Sequence, residues 1–321
     1  MNALFGYLLV HFVEDPLNHR EKIFLSLSEG DTPVAWRRLN HGEPVLESQG
    51  GTGGVRDPNI VRGPDGVFHI LATDLRVWRP AGPNWWEFRH RGSRDLVIWD
   101  SIDLLSWSEP RYITLAPEGA GMAWAPKAVY DPISGDYLVF FSSGLLESRP
   151  AHQDSVTQAE TGASRIMVTR TRDFTHFTPA ESYLKLTGGV IDMSVLVTDT
   201  SVHRFAKHDD GAPESLHVFH QRGSALFADD FVTVSHGIGQ EIAPTVEGPL
   251  AFRDNHESRW YLWVDQYSRQ PQGYEAYTTT NIEAGDWRLV PDFRLPENTK
   301  HGTVLPLQAA EYEALNTFYP R

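Results

Sequence analysis

Thr245-Val246-Glu247-Gly248-Pro249-Leu250-Ala251-Phe252, followed after Arg253-Asp254-Asn255-His256-Glu257-Ser258 by Trp260-Tyr261-Leu262-Trp263-Val264-Asp265, decides how the chain is read. Two runs of apolar, aromatic and β-branched residues flank a polar turn, the signature of a β-hairpin. Glu247 stands at its mouth. A carboxylate before Gly248-Pro249 is not needed for a turn, and an apolar strand start hydrates a charge poorly, so its presence asks for an explanation, either a solvated loop glutamate or chemistry.

The same layout recurs upstream. Asp57-Pro58-Asn59-Ile60-Val61 turns at Gly63-Pro64-Asp65-Gly66 into the run Val67 to Thr73. Ala125 to Tyr130 turns at Asp131 to Asp136 into Tyr137 to Phe141, and Ile191-Asp192-Met193-Ser194-Val195-Leu196-Val197 turns near Asp199-Thr200 into Val202 to Ala206. All but the Ala125 hairpin open with an acid. Between the hairpins lie further β-rich segments, Lys22–Ser28, Leu96–Asp103, Arg165–Asp173, Leu216–His220 and Tyr274–Thr280. Each leads to an aromatic residue, in turn Trp36, Trp107, Phe177, Phe231 and Trp287.

A long repeat built only of strands points to a β-propeller, whose blades are four-stranded antiparallel sheets around a channel. Only Ala309 to Leu315 shows a helical apolar period. Four hairpins and five outer segments leave one hairpin missing. Gly6–Val13 and Gly302–Leu307 supply it if they pair, completing a fifth blade and removing the exposed edges of an open array. The expectation is an all-β, five-bladed propeller over residues 1–321 as one catalytic domain, its ring closed by N- and C-terminal strands. The first strand of each blade lines the channel, so Asp57, Asp192 and Glu247 are expected to converge at one mouth. There, mutual repulsion raises at least one carboxyl pKa and lets acid and base coexist.

Composition excludes several classes. Lys plus Arg is 28 against 42 Asp plus Glu, a net charge of −14, which disfavours nucleic acid and anionic membrane as partners and suits an uncharged ligand. No cysteine is present, so disulfides, thiolate catalysis and cysteine-bound metals are excluded. The apolar N-terminal run lacks a basic region and a cleavage site and reads as a buried strand. With no stretch long enough to span a bilayer, the expected location is the cytoplasm. Nothing in the pattern bears on oligomeric state.

Val55-Arg56-Asp57-Pro58-Asn59-Ile60-Val61, Trp124-Ala125-Pro126, Val190-Ile191-Asp192, Val246-Glu247-Gly248-Pro249 and Lys300-His301-Gly302-Thr303-Val304 together resemble glycoside hydrolase family 43, the five-bladed inverting glycosidases. That resemblance implies an exo-acting hydrolase trimming terminal sugars from plant-type oligosaccharides. An α-L-arabinofuranosidase is expected first, with β-D-xylosidase or exo-β-galactosidase activity next. It makes Asp57 the general base, Glu247 the general acid, and Asp192 the carboxylate that orients the acid and raises its pKa. His301 matches the family histidine at the channel centre, where a hydrated calcium ion is implied; its other reading is a buried histidine bonded to a backbone carbonyl.

Trp124, and Trp78, Trp85 and Trp86 in the loop Arg76 to Arg94, are the expected sugar-stacking residues. Two departures mark an outlying subgroup: Lys127 follows Trp124-Ala125-Pro126 where many members carry an acid, and Met193 follows Asp192 where proline is common. A retaining fructan-type hydrolase is disfavoured, because no Asn-Asp-Pro precedes Arg56-Asp57-Pro58. The rival outside enzymes is a glycan-binding propeller whose acids do no chemistry.

Overall fold

The computed structural model describes residues 3–15, 18–145 and 163–319. Within them the strands form five four-stranded antiparallel sheets. Four blades run from inside to outside in chain order and start with inner strands Val55–Arg62, Trp124–Asp131, Val190–Val197 and Val246–Arg253. The fifth takes its inner strand, Thr299–Gln308, from near the C-terminus and its next strand, Leu4–Val13, from near the N-terminus. Val10 lies opposite Thr303, and Leu9 opposite Val304. The ring therefore closes as the sequence predicts.

Middle strands bury both faces. Tyr137-Leu138-Val139-Phe140-Phe141 reads as an unbroken apolar run because Tyr137, Val139 and Phe141 pack toward the preceding blade while Leu138 and Phe140 pack toward the next. Such apolar layers separate every neighbouring pair of blades. The largest aromatic contribution joins the fourth and fifth blades, where Trp263, Phe252, Tyr7 and Trp36 meet edge to face or tilted.

Two helices stand outside the sheets. Ala309–Phe318 carries the expected helical period and opens on a capping box between Gln308 and Glu311. Trp85–Arg91 corrects the reading of Arg76 to Arg94 as a loop throughout. The Asn84 side chain accepts the Glu87 N–H at 3.2 Å, and Arg89 and Arg91 place positive charge in its last turn.

Candidate active site

Each of the first four inner strands carries a bulge at the same level. Two residues, Asp57-Pro58, Ala125-Pro126, Asp192-Met193 and Gly248-Pro249, oppose one on the neighbouring strand. The first of each pair is left-handed, with φ of 53°, 50°, 57° and 53°. A bulge of this kind breaks the strand's alternation and turns a side chain that would lie between blades into the channel. Asp57 and Asp192 occupy it. Glu247 does not: it stands one residue earlier, where the other blades have Arg56, Trp124 and Ile191. The three acids thus converge as expected but from two strand positions.

His301 holds them together. Its Nδ1 lies 3.1 Å from Asp57 Oδ1, and its Nε2 lies 3.5 Å from Glu247 Oε1 and 3.3 Å from Asp265 Oδ2. Oxygens of Asp192 and Glu247 and a nitrogen of His301 lie within 4.8 Å of one another. The backbone-carbonyl alternative for His301 is replaced by this carboxylate cage. Asp57 also accepts the Thr73 hydroxyl at 2.9 Å, and the same hydroxyl oxygen receives the Ala125 N–H at 2.8 Å. Gly248 N–H donates to Asp192 Oδ2 at 3.2 Å.

These contacts sort the protons. Burial alone would raise Asp57, but the His301 hydrogen bond and the charges of His301 and Arg56 outweigh it and hold Asp57 below the usual carboxylate range. Arg56 is kept in place by Glu14 and Glu21, at 3.0 and 3.3 Å. Burial, reinforced by the neighbouring Glu247 and Asp57 charges, pushes Asp192 up to about 6. Glu247 is held low, because His301, Lys300 and Lys207 outweigh its burial. Of the three mouth carboxyls the raised one in this resting arrangement is therefore Asp192, which differs from the expected elevation of Glu247. His301 is raised well above an ordinary histidine, since Asp57 and Glu247 overcome the cost of burying its charge.

Residues not expected in the site complete it. Asp265 is fully buried behind Glu247, accepts the His301 N–H at 3.4 Å and is pushed up to about 6 by burial. Lys207 Nζ donates to Tyr267 Oη at 2.9 Å, and Lys300 Nζ lies 3.6 Å from Asp265. Lys127, the departure noted above, enters the channel below the acids and donates to the Gly302 carbonyl at 3.0 Å. Burial lowers it to about 8 although Asp57 and Asp192 oppose that shift.

The hydrated calcium ion implied by the family resemblance would sit among Asp192, Glu247 and His301. His301 Nε2 makes no well-aligned hydrogen bond, its carboxylate neighbours Asp265 and Glu247 lying at 3.3 and 3.5 Å. Asp192, Glu247 and His301 could hold a calcium ion only with most of its about six to eight oxygens supplied by water, and Lys127, Lys207 and Arg56 already place positive charge beside those carboxylates.

The tryptophans lie on the helix side of the mouth. Trp124 is buried under Trp85 and under Arg89, whose guanidinium is 5.4 Å from its ring centre. Trp78 stacks on His19 and carries Arg76, while Trp86 stacks on His90 and carries Arg91. Trp85 and Trp86 remain exposed. Arg89 also reaches the third blade, where both its terminal nitrogens bond Asp209. Helix Trp85–Arg91 thus forms a wall from the first blade across the second to the third.

This fold, with opposed carboxylates around one imidazole at the channel mouth, is that of the five-bladed glycosidase-type propellers. A family model described as "probable glycosyl hydrolase domain", related to glycoside hydrolase family 43, matches residues 2–313. The chain belongs to that family. It is 28% identical over 234 residues, 70% of its own length, to an α-L-arabinofuranosidase of Bifidobacterium longum subsp. longum, but this match spans only 21% of that relative. Among solved structures, it superposes on the catalytic domain of a Coprinopsis cinerea family 62 α-L-arabinofuranosidase with a TM-score of 0.52 at 17% identity, covering 81% of this chain and 73% of the other. A thermostable family-43 glycoside hydrolase gives 0.51 at 14% identity over 74% and 72% of the two chains. These structural likenesses concern the fold.

Proposed function

We propose that the chain is an inverting, exo-acting glycoside hydrolase that removes terminal α-L-arabinofuranosyl units from oligosaccharides. The observation that carries this reading is the placement of Asp57 and Glu247 on opposite sides of the His301 ring. An imidazole and two contacts between them give a spacing on the order of the 6.5–9.5 Å at which an acid and a base flank a sugar and a water.

Asp57, held ionised, takes a proton from that water as its oxygen attacks the anomeric carbon. The glycosidic C–O bond breaks and the leaving oxygen receives a proton from Glu247. Glu247 is charged at rest, so the proton comes from its own cluster. An uncharged sugar excludes water, which favours neutral partners over an ion pair, and the His301 Nε2 proton passes to Glu247 Oε1. Asp192 fixes the Gly248 backbone behind the acid and adds the negative charge that keeps this proton in the cluster. The wall built by Arg89 and Asp209 supports a pocket for a chain end rather than an open cleft.

The test is hydrolysis of α-L-arabinofuranosyl, β-D-xylosyl and β-D-galactosyl aryl glycosides, with the anomer of the first product read by NMR. Release of arabinose as the inverted anomer is expected. A retained anomer overturns the mechanism, and cleavage of only the xyloside or galactoside overturns the sugar.

A further inference from the structure

Beside the wall helix lies a cavity of about 270 Å³ whose lining includes Thr52, Arg76, Arg79, Arg91, Ser93 and Glu87. Three guanidiniums against one carboxylate make a cationic pocket in a chain of net charge −14. Arg79 is paired with Glu87 at 3.1 Å. Arg76 and Arg91 have no ion pair or hydrogen bond among the described residues; each lies over a tryptophan ring, Trp78 and Trp86, at 5.3 Å from its centre. Stacking on an aromatic face holds a guanidinium's plane while leaving its N–H edge free to bind.

The position matters as much as the charge. Leu75, also in the lining, follows Thr73 by two residues, and the Thr73 hydroxyl bonds Asp57. Two residues span at most about 7 Å of chain, so part of the cavity's lining lies close to the residue that bonds the proposed base. Ser93 is fixed to the second blade just before its inner strand, its carbonyl accepting the Ala123 N–H at 3.2 Å.

We propose that this cavity is a subsite for an anionic substituent of the substrate, the carboxylate of a uronic acid unit, bound by Arg76 and Arg91 with the Ser93 hydroxyl as a further donor. Planar, two-pronged recognition of a carboxylate is what guanidiniums do best. This deepens the function proposed above and rests on it: the preferred substrate is an acidic arabinosylated oligosaccharide.

Two measurements separate this proposal from that reading. Calorimetric binding compares a glucuronate-bearing oligosaccharide with its carboxyl-reduced, neutral form and needs no turnover. Tenfold or greater preference for the acidic form, screened by salt and abolished in Arg76→Gln/Arg91→Gln, is expected; an unchanged thermal melt shows that the variant is folded. Equal binding of the two forms overturns the proposal whether or not the chain hydrolyses anything. Inorganic phosphate that displaces the acidic oligosaccharide at equal concentration overturns it in favour of a free-anion site. Where arabinose release is observed, kcat/KM shows the same preference in the wild type and loses it in the double variant; a preference that survives both substitutions also overturns it.

Discussion

His301 Nδ1 lies 3.1 Å from Asp57 Oδ1 while Nε2 of the same ring faces Glu247 and Asp265. One imidazole therefore sets the protonation of both the proposed base and the proposed acid. Losing it raises Asp57, because the largest influence opposing its burial is removed. The acid limb of the kcat/KM profile of His301→Asn should move to higher pH by at least about one unit, with a rate loss of about 100-fold or more. A limb that stays in place would show that Asp57 does not set it.

Asp57→Asn and Glu247→Gln should fail differently. The first removes the base for every substrate and costs about 10³-fold or more. The second costs about 10²–10⁴-fold on natural oligosaccharides but much less on aryl glycosides whose leaving group needs no proton. Equal losses on both substrate types in Glu247→Gln would remove Glu247 from the acid role.

Asp192 supplies negative charge to the proton-holding cluster. Asp192→Asn lowers the proton affinity of the remaining Glu247 and His301, so their proton is lost at a lower pH. The alkaline limb of kcat/KM should shift to lower pH, and titrating the rate checks the sign.

Positive charge is built into the channel by Lys127 and Lys207. Exhaustive chelation should leave kcat/KM unchanged, whereas Lys127→Met, which takes a cation from beside Asp57 and Asp192, should raise the pH of the acid limb. Activity lost to chelator and restored by calcium would reverse the assignment of charge balance to the lysines.

Gly248 and Ala125 occupy equivalent bulges and should respond oppositely. A Cβ at Gly248 would meet the His301 ring at 2.3 Å, so Gly248→Ala should cost about 100-fold in rate by displacing the imidazole. Ala125→Gly relieves a left-handed non-glycine residue and should stabilise the fold by about 1 kcal/mol. Paired rate and melting measurements test both.

The blades were legible in the sequence because each is short, local and repeated: hairpin, outer segment, closing aromatic. The acids were legible because a carboxylate at an apolar strand start is conspicuous. Their register was not. Glu247 looks equivalent to Asp57 and Asp192, but a bulge shifts the count by one residue, and only the pairing of Glu247 with Asp265 and Leu250 with Trp263 reveals it. Asp265 lies near the end of the strand Trp260–Gln266, across the hairpin from Glu247, and Arg89 meets an Asp209 far along the chain, so neither pairing leaves a local mark. Helix Trp85–Arg91 did leave one, in Asn84 and Glu87, overshadowed by the prolines and the aromatic pair around it.

The fifth blade makes the active site a report on the chain's own completion. Asp57, Asp192 and Glu247 all emerge before the strand Thr299–Gln308, and until that strand docks against Leu4–Val13 the three carboxylates lack His301. Contacts between residues so far apart in sequence form late and slowly. A partly made or open ring would hold every acid yet catalyse nothing, and recovery of activity after denaturation would time the closing of the ring rather than the folding of the blades.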